Sequence, residues 1–378
     1  MKQAIEILDT RREFSLFGEL CKIVKWVPTW VVCKVLACAA IVLTAPLPQA
    51  VAQTQQQMDW CRNSGNAFSP DQVILGCTAG IEMRRWSGKD LAVAYNNRGS
   101  ARNMQGDFDD AIDDFDEAIR LDPQYALAYN NRGSARIGMG DFDHAIEDLN
   151  QAIALEPKYA LAFNYRGSAW IAKGDLDRAI GDFNEAIRLE PNYAPAYNNR
   201  GGAWMSKGDF ERAIADHSEA IRLDANYALA YLDRGIAAAY SGSLPKAQSD
   251  LDRASALDTK NAYVALWLDI VNKRSNVASR LAQAGAQIDM GKWPASIVRL
   301  FLGQMTAEAV LAAADDFDAN TKRDQVCEAN FYIGELALQQ GTKEEAVRRF
   351  RLAAADCRKD FAEWAAANAE LKALGASP

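Results

Sequence analysis

Small and apolar positions recur along the middle of the chain with a period of 34 residues. Repeats begin at Ala92, Ala126, Ala160, Ala194 and Ala228. Position 8 of each is glycine, and positions 20 and 27 are alanine. Positions 4, 8 and 11 share one stripe of a first helix, and positions 20, 24 and 27 share one stripe of a second. Gly106, Gly140, Gly174 and Gly208 at position 15 are placed to end the first helix. Asp107, Asp141, Asp175 and Asp209 follow as caps of the second. Pro123, Pro157 and Pro191 at position 32 stop it. A helix pair of this size cannot bury its apolar face alone, so neighbouring pairs must stack. The pattern predicts an all-α solenoid of antiparallel helix pairs over residues 92–261.

The pattern frays at both ends. Residues 53–91 outline a degenerate helix pair with Cys61 near a position-8 site and Cys77 near a position-24 site. Residues 262–326 break the repeat and read as an irregular helical segment. The period returns over 327–360, with Gly334, Gly341, Ala346, Phe350 and Ala353 in register. Phe361, Trp364, Asn368, Leu371 and Leu374 then outline a capping helix, so 327–378 reads as a terminal repeat and its cap.

The recurring string, Tyr95-Asn96-Asn97-Arg98-Gly99 in its first copy, and the glycines and alanines of five consecutive copies resemble the tetratricopeptide-repeat family. That resemblance implies a right-handed superhelix whose concave groove binds other proteins. A narrower likeness runs through Leu266-Trp267-Leu268, through Trp293 with Ile297-Val298 and Phe301-Leu302-Gly303, and through residues 328–335. These stretches resemble NlpI-type tetratricopeptide lipoproteins. The narrower resemblance implies an envelope adaptor that docks peptidoglycan hydrolases or a periplasmic protease.

Residues 1–52 differ in kind. Lys22, Lys25 and Lys34 precede an apolar run from Val35 to Leu47, and Ala50-Val51-Ala52 follows. This is the order of a secretory signal, with cleavage expected after Ala52 and a periplasmic location for the mature chain. Three alternatives stay open. Arg11-Arg12 suits twin-arginine export, Trp26 to Leu47 uncleaved would anchor the chain to a membrane, and Val35-Leu36-Ala37-Cys38 has some likeness to a lipobox. The signal removes Cys21, Cys33 and Cys38 and leaves four cysteines, an even number suited to an oxidising compartment. The repeat register pairs Cys61 with Cys77 inside one hairpin. It pairs Cys327 with Cys357, at positions 1 and 31, at the open end of another.

The chain has 378 residues, 49% hydrophobic and 24% charged, with net charge −8. That supports a packed core and argues against nucleic acid as the main partner. Arginine at position 7 (Arg98, Arg132, Arg166, Arg200, Arg234) faces aspartate at position 23 (Asp114, Asp148, Asp182, Asp216, Asp250), a pattern that suits ion pairs serving the fold.

Candidate groove residues lie on positions 5, 6 and 9 of the first helix. They are Asn96, Asn97, Ser100, Asn130, Asn131, Ser134, Asn164, Ser168, Asn198 and Asn199. An asparagine ladder offers donors and acceptors to an extended backbone, with Val93, Leu127, Leu161, Leu229, Ile137 and Ile171 as an apolar flank. The same asparagines equally suit bonds within and between repeats. The groove lacks the Lys and Arg of carboxylate-clamp repeats. The acidic run from Asp107 to Glu117 falls on a helix without calcium-loop spacing. His144 and His217 lack metal or nucleophile partners in sequence, so no metal, cofactor or catalytic role is expected. The rival reading is an envelope enzyme or enzyme subunit with a site in 262–326, where Asp315, Asp316 and Asp318 cluster.

Overall fold

The computed structural model describes residues 47–62 and 67–377, with side chains from residue 55 onward. Residues 1–46, on which the signal, anchor and lipobox readings rest, with Arg11, Arg12, Cys21, Cys33 and Cys38, lie outside the described residues. Among the described residues the chain is helical with no strand. None of these helices is long and apolar enough to cross a membrane.

Six antiparallel pairs stack in order. They are α1 (Leu47–Arg62) with α2 (Pro70–Glu82), α3 (Gly88–Gln105) with α4 (Phe108–Leu121), and α5 (Ala126–Met139) with α6 (Phe142–Leu155). Next come α7 (Ala160–Ala172) with α8 (Leu176–Leu189), α9 (Ala194–Ser206) with α10 (Phe210–Leu223), and α11 (Ala228–Tyr240) with α12 (Leu244–Leu257). Each second helix also packs on the first helix of the next pair, which makes a solenoid. The position-8 glycine permits the close approach. A Cβ at Gly99 would stand 2.8 Å from Phe115, and one at Gly167 2.6 Å from Phe183. Gly106 takes φ +85°, the left-handed cap that ends α3. Asp141, Asp175 and Asp209 accept a cap bond from the backbone three residues on, whereas Asp107 makes none.

The position-7 arginines pair with the position-23 aspartates in all five repeats, at 2.5–2.7 Å. Each guanidinium also lies 5.3–5.6 Å from the position-4 ring of its own helix. Bidentate geometry and the ring hold a buried aspartate in place, so these pairs serve the fold. Both disulfides form as the register indicates, Cys61–Cys77 with Cα atoms 4.5 Å apart and Cys327–Cys357 with 5.0 Å.

The segment expected to be irregular is more ordered than its pattern suggests. α13 (Ala262–Arg274) continues the stack, capped by Asn261. Three short helices follow, α14 (Leu281–Gly285), α15 (Ala295–Phe301) and α16 (Ala307–Ala313). α17 (Ala319–Gln339) begins inside this segment and pairs with α18 (Lys343–Asp356). The final helix α19 (Ala362–Ala373) was expected only to cap the end. It packs on α18 and also turns back onto α9 and α11, entering the concave side of the solenoid. Residue 359 accepts a hydrogen bond from Ser206 at 2.6 Å through its backbone oxygen. The reason is the core around Trp267, Phe331, Tyr332 and Leu371, which only this return closes.

Candidate functional site on the concave face

The ladder expected to hold a partner's backbone lies inside the fold. Asn96, Asn130, Asn164 and Asn198 are at most 3% exposed. The amides of Asn96, Asn164 and Asn198 bond between repeats, and Asn130 donates to Asn131 in its own repeat. Asn131 Nδ2 donates to Asn96 Oδ1 at 3.0 Å, and Asn199 Nδ2 donates to Asn164 Oδ1 at 3.0 Å. Asn97 at the first repeat donates to the Cys61 carbonyl at 2.9 Å. Where position 6 is asparagine it therefore ties its helix to the one before it. Tyr165 replaces asparagine at position 6 of the third repeat, and the Oδ1 of Asn130 is left buried without a donor. Of the two roles open to these asparagines, the position-5 set fills the structural one.

What the groove surface presents is different. Asn97, Asn131, Asn199, Ser100, Ser134 and Ser168 are half-buried on its floor. Ser100 accepts from Asn131, and Ser168 donates to the backbone of Asn164. Beside them, position 2 is apolar and open, with Val93 42%, Leu127 38% and Leu229 48% exposed. Two cavities lie along this face. One of about 370 Å³ gathers Asn97, Ser100 and Asn131 with Val73, Met104 and Leu127. The other, about 450 Å³, lies where α19 enters.

The second cavity contains acids that the sequence did not single out. Asp233, Glu328 and Glu363 line it together with Asn198, Tyr263 and Trp267. Glu328 Oε2 accepts from Tyr263 Oη at 2.8 Å and from Trp293 Nε1 at 2.6 Å. Glu363 Oε1 accepts from Tyr332 Oη at 2.9 Å, and Asp233 Oδ2 accepts from Asn198 Nδ2 at 3.1 Å. Burial pushes the Glu328 carboxyl up to about 8, with repulsion from Glu363 adding to it. Burial likewise pushes Asp233 up to about 7, against the stabilising bond from Asn198. Glu363 is raised by burial as well. Asp233 was visible as a departure from asparagine at position 6. Glu328 and Glu363 lie far from it in sequence, and only the return of α19 brings them together.

The acids of the rival site serve local structure. Asp318 caps α17 through Thr321, Asp315 pairs with Lys322, and Asp316 accepts from the backbone of Asp318. Trp267 and Leu300 are buried packing residues, and Trp293 points its indole N–H at Glu328. His217 is buried beneath Gly201, and burial together with Arg234 pushes it down to about 3.

Residues 92–125 match the family model of the tetratricopeptide repeat, and a second model of the same repeat matches 130–194 and 172–228. Among solved structures the chain is similar to PilW, a type IV pilus biogenesis factor, with 18% identity and TM-score 0.50 over 56% of this chain and 98% of that one. It is similar to PilF of Pseudomonas aeruginosa, with 20% identity and TM-score 0.49 over 57% of this chain and 99% of that one. It is also similar to MamA, with 27% identity and TM-score 0.38 over 43% of this chain and 95% of that one. With the 34-residue register, the stacked helix pairs and the matches to two models of this repeat, the chain belongs to the tetratricopeptide-repeat superfamily.

Proposed function

We propose that this protein is an exported adaptor of the bacterial cell envelope that binds an extended segment of a partner protein in its concave groove, without catalysis. One observation carries the groove assignment. Open apolar residues at position 2 run beside half-buried amides and hydroxyls along one concave face, and both cavities lie on that line. Apolar pockets beside polar groups suit a peptide whose side chains alternate between them. Export is supported by the basic and apolar order of residues 22–52 and by cysteines suited to an oxidising compartment. The narrower family likeness points to peptidoglycan hydrolases or an envelope protease as partners. Fractionation and N-terminal sequencing test the location, with a start near Gln53 expected from the periplasm. A full-length chain in the cytoplasm would contradict it.

A further inference from the structure

Buried acids in this fold are, with two exceptions, neutralised. Among the described residues ten Asp and Glu are buried, and eight of them pair with Arg or Lys. Glu328 (8% exposed) and Glu363 (6% exposed) have no cation. Both face the 450 Å³ cavity, and so does the half-buried Asp233. Among the described residues Glu328 accepts through Oε2, from Tyr263 and Trp293, and no hydrogen bond to its Oε1 is found; the side chain lines the cavity. Buried carboxylates without a counter-charge are costly, and folds remove that cost with a paired cation. Here the fold supplies none. The basic residues nearest in the chain are otherwise engaged, Arg358 with Asp360 and Asp324, and Lys359 over the ring of Trp364.

The rest of the cavity describes the shape of the missing cation. Its walls are Ile171, Leu229, Leu232, Ile236, Trp267 and Phe361. Apolar and aromatic walls suit an aliphatic stem carrying a charged head. Among the described residues no group of three acids, histidines or cysteines has an arrangement that could hold a metal ion.

We propose that this cavity receives the guanidinium or ammonium of an Arg or Lys side chain from the bound partner segment. The inference rests on the groove being the docking surface. It gives the groove a specificity that the asparagines, turned inward, do not. Partners would be selected for a basic residue.

The test is a titration of the full mature chain at pH 8.5 with an acetylated, amidated peptide, Ala-Ser-Gly-Arg-Gly-Ser-Ala. Three parallel titrations replace the arginine with lysine, replace it with citrulline, or use magnesium or calcium chloride alone. The arginine or lysine peptide should bind at least about tenfold more tightly than the neutral citrulline peptide. Glu328→Gln and, independently, Glu363→Gln should each weaken that binding about tenfold, with circular dichroism confirming the fold. Asp109→Asn, on the exposed face of α4, should change nothing. Equal binding of the citrulline peptide, no binding of any peptide, or variants that bind as well as the parent would overturn the proposal. Acid-dependent binding of the divalent ions alone would also overturn it. The groove is judged separately, by where a captured partner crosslinks. A partner mapping to the groove while the peptides fail removes only the cation. Peptide binding with a partner mapped elsewhere removes only the groove.

Discussion

Asn198 donates to Asp233 at 3.1 Å, the reverse of the bond its counterparts make. In the regular repeats the position-6 asparagine donates and the position-5 amide accepts, as in Asn199 to Asn164. The Asp233 oxygen accepts here, so Asn198 turns its NH₂ toward Asp233 and its Oδ1 toward the core. There it meets His217 Nδ1 at 2.9 Å. His217 replaces the Phe or Leu found at position 24 of the other four central repeats. A neutral imidazole with its proton on Nδ1 supplies the donor that the turned amide needs. The two departures from the repeat, 35 and 19 residues from Asn198, are one arrangement.

A double-mutant cycle checks that arrangement. His217→Phe alone should lower stability by about 1–2 kcal/mol, because Asn198 Oδ1 is left buried and unbonded. Asp233→Asn with His217→Phe restores the regular ladder and should recover most of the loss. Urea unfolding of the four proteins gives the coupling. Purely additive effects would show that the residues act separately.

The arginine pairs predict an order of losses. Asp182 has Arg166 as its cation, whereas Asp148 has both Arg132 and Arg136. Arg166→Ala should cost about 3 kcal/mol by stranding a buried carboxylate, and Arg132→Ala clearly less. Trp170 stands in the third repeat where Arg136 stands in the second, so no replacement is at hand. Denaturant midpoints rank the two variants.

The cavity acids set a pH dependence. Asp233 and Glu328 hold protons in the folded chain up to about 7 and about 8, well above ordinary carboxylates. The groups around them are Glu363, Asp324 and Asp360, with Tyr263, Tyr332 and Arg358. The folded state binds more protons than the unfolded chain between about pH 4 and pH 8. Their contribution to stability therefore falls as pH rises through that window. Glu328→Gln should raise Tm by about 3 °C at pH 8.5 and change it little at pH 5. Calorimetry at the two pH values reads this, and a loss at pH 8.5 would contradict it.

Much of this was legible in the sequence because the repeat is a local code. Gly99 against Phe115 and Arg98 against Asp114 follow from two periodicities within one helix pair. The cysteine pairs follow from the same register. The asparagine stripe was legible as a stripe but not by role, since Asn164 serves a neighbouring repeat that offers Asn199, and nothing in its own helix says so. The acid cavity was not legible. It joins position 6 of the fifth repeat to α17 and α19, and that contact depends on a chain reversal driven by aromatic packing around Trp267 and Tyr332. Position periodicity carries no information about such a return.

The central claim is that the concave face docks the partner. The direct measurement places a photo-crosslinking residue at Leu127, on the open apolar line, and in a second protein at Glu147, exposed on the second helix of the same repeat. Each is expressed in its own cell envelope, irradiated and analysed by mass spectrometry. The account predicts that a protein crosslinks at Leu127 and not at Glu147. The same protein crosslinking at Glu147 with none at Leu127 would contradict the account and move docking to the convex face.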